Sequence, residues 1–192
     1  MDDDLARALS AARDGDETGF AVLWRALHPA VLRYLRVVVG DTADDVASET
    51  WLQVARDLDR FSGGIGEFRG WLFRIARHRG IDDRRRAGRR REVPAEIIDP
   101  GEYAPDAADR VTEGLGTDWA LRIIATLPSD QAEAVMLRVV AGLDVATTAK
   151  VLGKRSGAVR IATMRGLRRL AEHPEVRARD AGHQPPKQSR RV

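Results

Sequence analysis

Residues 145–164 read VATTAKVLGKRSGAVRIATM, and the spacing inside this stretch decides how the chain folds. Ala149 is small enough for two helices to approach. Gly153, four residues on, permits a tight turn, and Val159, six further on, returns an apolar side chain to the same core. Thr148, Leu152 and Ala162 fill the remaining inward positions, which is the spacing of a helix-turn-helix. In that geometry Ser156 caps the second helix, Arg160, Thr163 and Met164 face outward, and Arg165 and Arg168 continue onto the flank. Such a helix lies in the major groove of DNA, where Arg bridges the acceptors of guanine and Met or Ala touches a thymine methyl. An ordinary helical hairpin has the same spacing; what distinguishes this one is an outward face that is basic rather than mixed.

Outward from this motif, helical periodicity covers most of the chain and no segment alternates convincingly as a strand, so the expected fold class is all-α. Phe20, Leu23, Trp24, Leu27, Val31, Leu35 and Val38 recur at three- and four-residue steps, with His28-Pro29 expected to kink or restart the helix and Gly40 to stop it. Asp41 or Thr42 can cap a second helix running to about Leu58, with Ala47, Trp51, Val54 and Leu58 as its buried stripe. After the loop FSGGIGEF, a third helix begins near Phe68 and runs into RRRAGRRR. Residues 92–117 are rich in Pro, Gly and acids, the composition of a tether. The expected division is a helical domain over 1–91, an acidic linker over 92–117, a helix-turn-helix domain over 118–172 and a disordered tail over 173–192. In the second domain a short helix spans 118–127, and a helix capped by Ser129 runs to Val140 and ends at Gly142.

The net charge of +3 conceals a segregated distribution. Residues 74–91 hold nine Arg against Asp82 and Asp83, and residues 154–169 hold six Lys and Arg with no acid. Residues 41–59 and 92–118 are acidic, with eight acids against Arg110 alone in the second. Two separate basic patches suggest two places where a polyanion is held, and Arg suits phosphate and guanine because its planar fork bonds bidentately. The chain has no cysteine, which excludes a disulfide framework, a thiol nucleophile and a cysteine-ligated metal. No run approaches a membrane span and the N-terminus is acidic, so a cytoplasmic location without membrane insertion is expected.

Two stretches carry a resemblance to a known family, the extracytoplasmic-function type of RNA polymerase sigma factors. DDVASETWLQVARDLDRF (44–61) with FRGWLFRIARHRGIDDRRR (68–86) is similar to its second conserved region, and residues 127–170 resemble its fourth. The resemblance implies a subunit that joins core RNA polymerase and directs initiation at specific promoters. It puts polymerase clamp contacts on Asp45, Ser48, Glu49, Leu52 and Arg56, where Leu52 reads as an apolar anchor with an anionic rim. It puts the melted minus-ten element against the loop from Phe61 to Trp71, with Ile65 and Phe68, and against Arg74, Arg77, His78, Arg84 and Arg85. The spacing of Phe68 and Trp71 also fits the buried stripe, so these two are equally candidates for core. The duplex minus-thirty-five element falls to Arg138, Ser156, Arg160, Ile161, Ala162, Thr163, Met164, Arg165 and Arg168. Ser48 stands where many relatives have Gln, and Ala146 and Thr147 replace acids, which costs a capping contribution at that helix start. An inhibitory anti-sigma protein is a further implied partner.

Two other classes remain open on the residues alone. A free-standing helix-turn-helix regulator would bind duplex DNA without polymerase. An enzyme would need more than the pairs Asp44-Asp45 and Asp82-Asp83, which have no nucleophile or metal-ligand set at motif spacing, so neither catalysis nor a metal or other cofactor is expected.

Overall fold

In the computed structural model, which describes residues 2–92 and 113–182, every regular element is helical. Helix α1 (Asp2–Arg13) was not foreseen by the sequence reading. It buries Leu5, Ala8, Leu9 and Ala12 against α2 (Glu17–Val39). The two helices touch at Gly19, where an added Cβ would lie 2.7 Å from the Ala8 carbonyl oxygen. Helix α2 is capped by Asp16, whose side chain accepts from the Thr18 N–H, and ends at Gly40 with φ 71°. It runs unbroken through Pro29, so the expected restart does not occur; proline removes one backbone donor but leaves the flanking turns in place. Leu23, Leu27, Val31 and Leu35 form its buried stripe, joined by Tyr34, whereas Trp24 stays 42% exposed and stacks on His28 at 4.6 Å.

Helix α3 (Ala43–Asp57) buries Ala47, Trp51 and Val54, and Leu58 closes the stripe in the turn beyond it. Thr42 occupies its cap position but makes no capping bond; its hydroxyl donates to Asp83 at 2.8 Å instead. Helix α4 (Ile65–Glu92) starts three residues before Phe68 because Glu67 reaches back to accept from the Gly64 N–H at 3.1 Å, the carboxylate half of a capping box. Its inner face is Phe68, Leu72, Phe73, Ile75 and Ala76.

The second set begins with α5 (Glu113–Ala125), five residues before the expected start. Helix α6 (Ser129–Val135) takes its first intrahelical bonds on the Pro128 carbonyl, so Ser129 is its first residue rather than its cap. It continues as a π-helical turn, Met136–Val140, in which the Ala141 N–H reaches the Met136 carbonyl at 2.8 Å, and the chain turns at Gly142 with φ 67°. Helices α7 (Val145–Leu152) and α8 (Ser156–Glu172) form the helix-turn-helix. The tail departs from expectation: Pro174–Gly182 is helix α9, held to Trp119 by Glu175 at 2.9 Å and by Arg179 over the indole ring at 4.7 Å. Most of the expected linker, 93–112, and the end of the tail, 183–192, lie outside the described residues.

Helices α1–α4 and α5–α8 do not stand apart. α2 packs on α5, α6 and the π-helical turn, α4 packs on α7, and the buried side chains of both sets form one continuous cluster.

Candidate nucleic-acid interface

The helix-turn-helix forms as its spacing dictates. Gly153 adopts the left-handed conformation (φ 63°, ψ 35°) and its N–H returns to the Ala149 carbonyl, while Val159 is fully buried and Ala149, Leu152 and Ala162 close the core around it. The missing acids at 146 and 147 leave no uncapped end. Asp144 accepts from the Thr147 N–H at 2.8 Å and from its hydroxyl at 2.7 Å, and these bonds hold the Asp144 carboxyl below its ordinary pKa. Helix α8 takes its first bond on the Arg155 carbonyl, from the Val159 N–H at 3.1 Å. Ser156 is therefore the first helical residue, not the cap.

Gly166 fixes which face of α8 is shown. It is buried, and an added Cβ would sit 2.7 Å from Val135 Cγ2, so α8 lies tight on α6. Arg160, Ile161, Met164, Arg165 and Arg168 are exposed, with Ile161 at 49% and Met164 at 62%. Ala162 is 7% exposed and belongs to the core, and Thr163 is half-buried with its hydroxyl donating to the Val159 carbonyl at 2.9 Å. Of the expected DNA contacts, Ala162 thus turns inward. Arg138 is half-buried and donates to the Leu143 carbonyl, closing the turn after the π-helical segment.

At the start of α4, Phe61 stacks on Trp71 with centroids 5.0 Å apart and meets Phe68 edge-on at 5.6 Å. Phe68 has no exposure at all, so it supports this aromatic pair from beneath and cannot touch a base itself. Phe61, Ile65 and Trp71 are half-buried. Farther along α4, Arg74, His78, Arg84 and Arg85 are exposed, Arg85 lying 3.8 Å from Asp82. Arg77 is different. Its Nε donates at 2.7 Å to Glu133, a buried carboxylate of α6 that also accepts from the Tyr34 hydroxyl at 3.1 Å. Burial first, and the Glu133 carboxylate next, push the Tyr34 hydroxyl well above its ordinary pKa, so it stays a donor.

On α3, Asp45, Ser48, Leu52 and Arg56 are exposed, Leu52 at 57%, and Ser48 bonds back to the Asp44 carbonyl at 3.0 Å. The rim is less anionic than the sequence suggests. Glu49 lies 3.8 Å from Arg79 and 3.6 Å from Arg86, and a groove lined by Glu49, Leu52 and Arg56 is completed from α4 by Arg79, Asp82, Arg85, Arg86 and Arg89. Among the described residues no group of three or more His, Cys, Asp or Glu could hold a metal ion, and no helix is long and apolar enough to cross a membrane.

Sequence reasoning missed Glu133, Tyr34 and Asp144. A signal for Glu133 was present in the sequence, where it is the one acid of the run QAEAVML (131–137), and the structure buries that whole run.

Residues 23–90 match the family description Sigma-70 region 2, and residues 117–170 match Sigma-70, region 4. The chain is 35% identical over 176 residues to "ECF RNA polymerase sigma factor SigD" of Mycobacterium tuberculosis, covering 88% of this chain and 82% of that protein. The chain belongs to the ECF RNA polymerase sigma factors. Sigma factor BldN of Streptomyces coelicolor is likewise 35% identical, over 88% of this chain and 67% of its own. Among solved structures, the sigma factor RpoE from Bartonella quintana, crystallised with the anti-sigma factor NepR, shares the fold with a TM-score of 0.60. It is 22% identical and the match covers 80% of this chain and 94% of that one. As a sigma factor the chain serves promoter-specific initiation by RNA polymerase, and the free-standing regulator is set aside.

Proposed function

We propose a division of labour in which residues 1–91 dock on core polymerase and take the melted minus-ten strand, while residues 118–172 read the minus-thirty-five duplex. What supports this reading is a single pattern. While the core of both sets is one buried apolar cluster, the cations Arg74, Arg84, Arg85, Arg160, Arg165 and Arg168 all remain exposed, with Ile161 and Met164 exposed among those of α8. On α8, Arg160 and Arg165 supply guanine or phosphate contacts, and Ile161 and Met164 supply apolar contact to thymine methyls. On α4 the arginines hold phosphate, His78 takes a base edge, and the Phe61–Trp71 pair borders the pocket for an unstacked base. Leu52 anchors the polymerase contact, with Asp45, Ser48, Glu49 and Arg56 around it.

The reading assigns the chain to the cytoplasm, where its polymerase is, and gives it no reaction to catalyse. Of its paired carboxylates, Asp83 accepts from Thr42 and Asp82 lies 3.8 Å from Arg85. RpoE is held by an anti-sigma factor in its structure; a comparable inhibitor is the partner proposed here. A mobility-shift assay on promoter fragments with and without core polymerase tests the whole. A sequence-specific shift that requires core enzyme is expected, and tight specific binding by the chain alone contradicts it.

A further inference from the structure

The seam between α3 and α4 opens into a groove of about 970 Å³, a volume within the ~300–1,000 Å³ typical of small-ligand sites. Five arginines line it against two acids, Glu49 and Asp82. Arg79, Asp82, Arg86 and Arg89 recur at three- and four-residue steps and so share one stripe of α4. At about 3.6 residues per turn, that stripe lies roughly a quarter of a turn from Arg74 and His78. These cations therefore stand off the face proposed for the minus-ten strand. Arg56 faces them from the other wall, on α3.

Guanidinium groups that close on one groove from both walls repel each other unless an anion lies between them. The two acids supply little of that. Glu49 is divided between Arg79 at 3.8 Å and Arg86 at 3.6 Å, and Asp82 lies 3.8 Å from Arg85, all longer than the ~2.7–2.9 Å of a charge-assisted hydrogen bond. Among the described residues, Arg56 and Arg89 pair with no acid. Arg79 is held in place by its Nε, which donates to Gln53 at 3.0 Å, so one guanidinium is already oriented before a ligand arrives. Phosphates spaced along a nucleic-acid strand suit a convex helix face. Phosphates joined directly to one another put several charges within reach of both walls at once, where each guanidinium fork can take two oxygens.

We propose that the α3–α4 groove binds an oligophosphate, either an inorganic chain or the phosphates of a nucleotide, with Arg79, Arg86 and Arg89 on one wall and Arg56 on the other. The groove shares Glu49, Leu52 and Arg56 with the proposed polymerase contact, so the bound anion and core polymerase exclude one another. That consequence rests on the proposed division of labour; the site itself does not.

Titration calorimetry of the full chain with inorganic tripolyphosphate, at about 0.15 M salt to screen diffuse attraction, should show saturable binding of one ligand per chain. Arg86→Ala/Arg89→Ala should weaken it about tenfold or more, the loss of a charge-assisted hydrogen bond, while Arg165→Ala/Arg168→Ala on α8 should leave it unchanged. Arg86 and Arg89 are exposed and alanine favours a helix, so the groove variant keeps its fold. No saturable binding, or a loss no greater in the groove variant than in the α8 variant, overturns the site. A nucleoside triphosphate titrated in parallel separates the sources: tighter binding than tripolyphosphate assigns the groove to nucleotides, weaker binding to the inorganic chain. If the groove variant loses affinity for a single-stranded oligonucleotide but not for tripolyphosphate, the groove belongs to the DNA path and the proposal fails. Tripolyphosphate should also lower the affinity of the unmodified chain for core polymerase, and have less effect on the groove variant. Binding to the chain without that competition upholds the site and counts against the docking face instead.

Discussion

Arg160 projects from the exposed face of α8 beside Ile161 and Met164, and a bidentate contact from it to guanine has a defined signature. Arg160→Ala should cost about 1 to 3 kcal/mol at promoters carrying that guanine and relax selection at that position, measured by competitive initiation across a promoter library. An equal loss on every sequence marks Arg160 as a phosphate contact. Asp144 acts on the same element from the other end of the turn. Asp144→Ala removes the two bonds to Thr147 and should lower stability by about 1 kcal/mol in chemical denaturation. His28 sets a pH dependence. Desolvation lowers its pKa below 6.5, more than Asp44 nearby restores it, and its Nδ1 is buried without a partner. The unfolded chain therefore binds this proton first as pH falls, so the stability His28 contributes is fully present above 6.5 and is lost on acidification toward the lowered folded value. Denaturation followed by fluorescence between pH 7 and 5 should show the loss, and His28→Phe should flatten it.

At the scale of elements, the helix-turn-helix, the stripe on α3 and the stop at Gly40 were legible because each depends on spacing and glycine geometry alone. Less legible were features set by contacts distant in sequence or by polar capping. Helix α1 begins with three aspartates and its apolar content is mostly alanine, so its four inward residues gain meaning only against α2. The start of α4 turns on Glu67 bonding back to Gly64, and Trp24 sits on the apolar stripe yet stacks outward on His28. Of the candidate site, the exposed arginines were read correctly as surface. Phe68 and Ala162 were placed there by motif position, although their own spacing also marked them as core. The α3 face carries its own prediction. Glu49→Arg should weaken binding to core polymerase while the isolated helix-turn-helix module keeps its DNA binding. The pairs Glu49 makes with Arg79 and Arg86 are half-exposed and 3.6–3.8 Å long, worth at most about 1 kcal/mol, so the fold survives the change. Unaltered polymerase affinity would remove this face from the docking surface.

For the whole molecule, charge segregation was visible along the sequence, but the meeting of the two helical sets was not. It depends on one acid, Glu133, buried 99 positions away from its tyrosine, a pairing that no local periodicity encodes. Of the arginines proposed to face DNA, Arg77 is the one drawn into that meeting, so the molecule keeps two cationic faces outside a single core. On the proposed division of labour, those faces act when a larger assembly holds them at separate stretches of DNA. The most direct measurement is to sequence the 5′ ends of transcripts made from genomic DNA by core polymerase with and without the chain. The account predicts a limited set of new start sites sharing two upstream elements that appears only when the chain is added; start sites indistinguishable from those of core polymerase alone would contradict it.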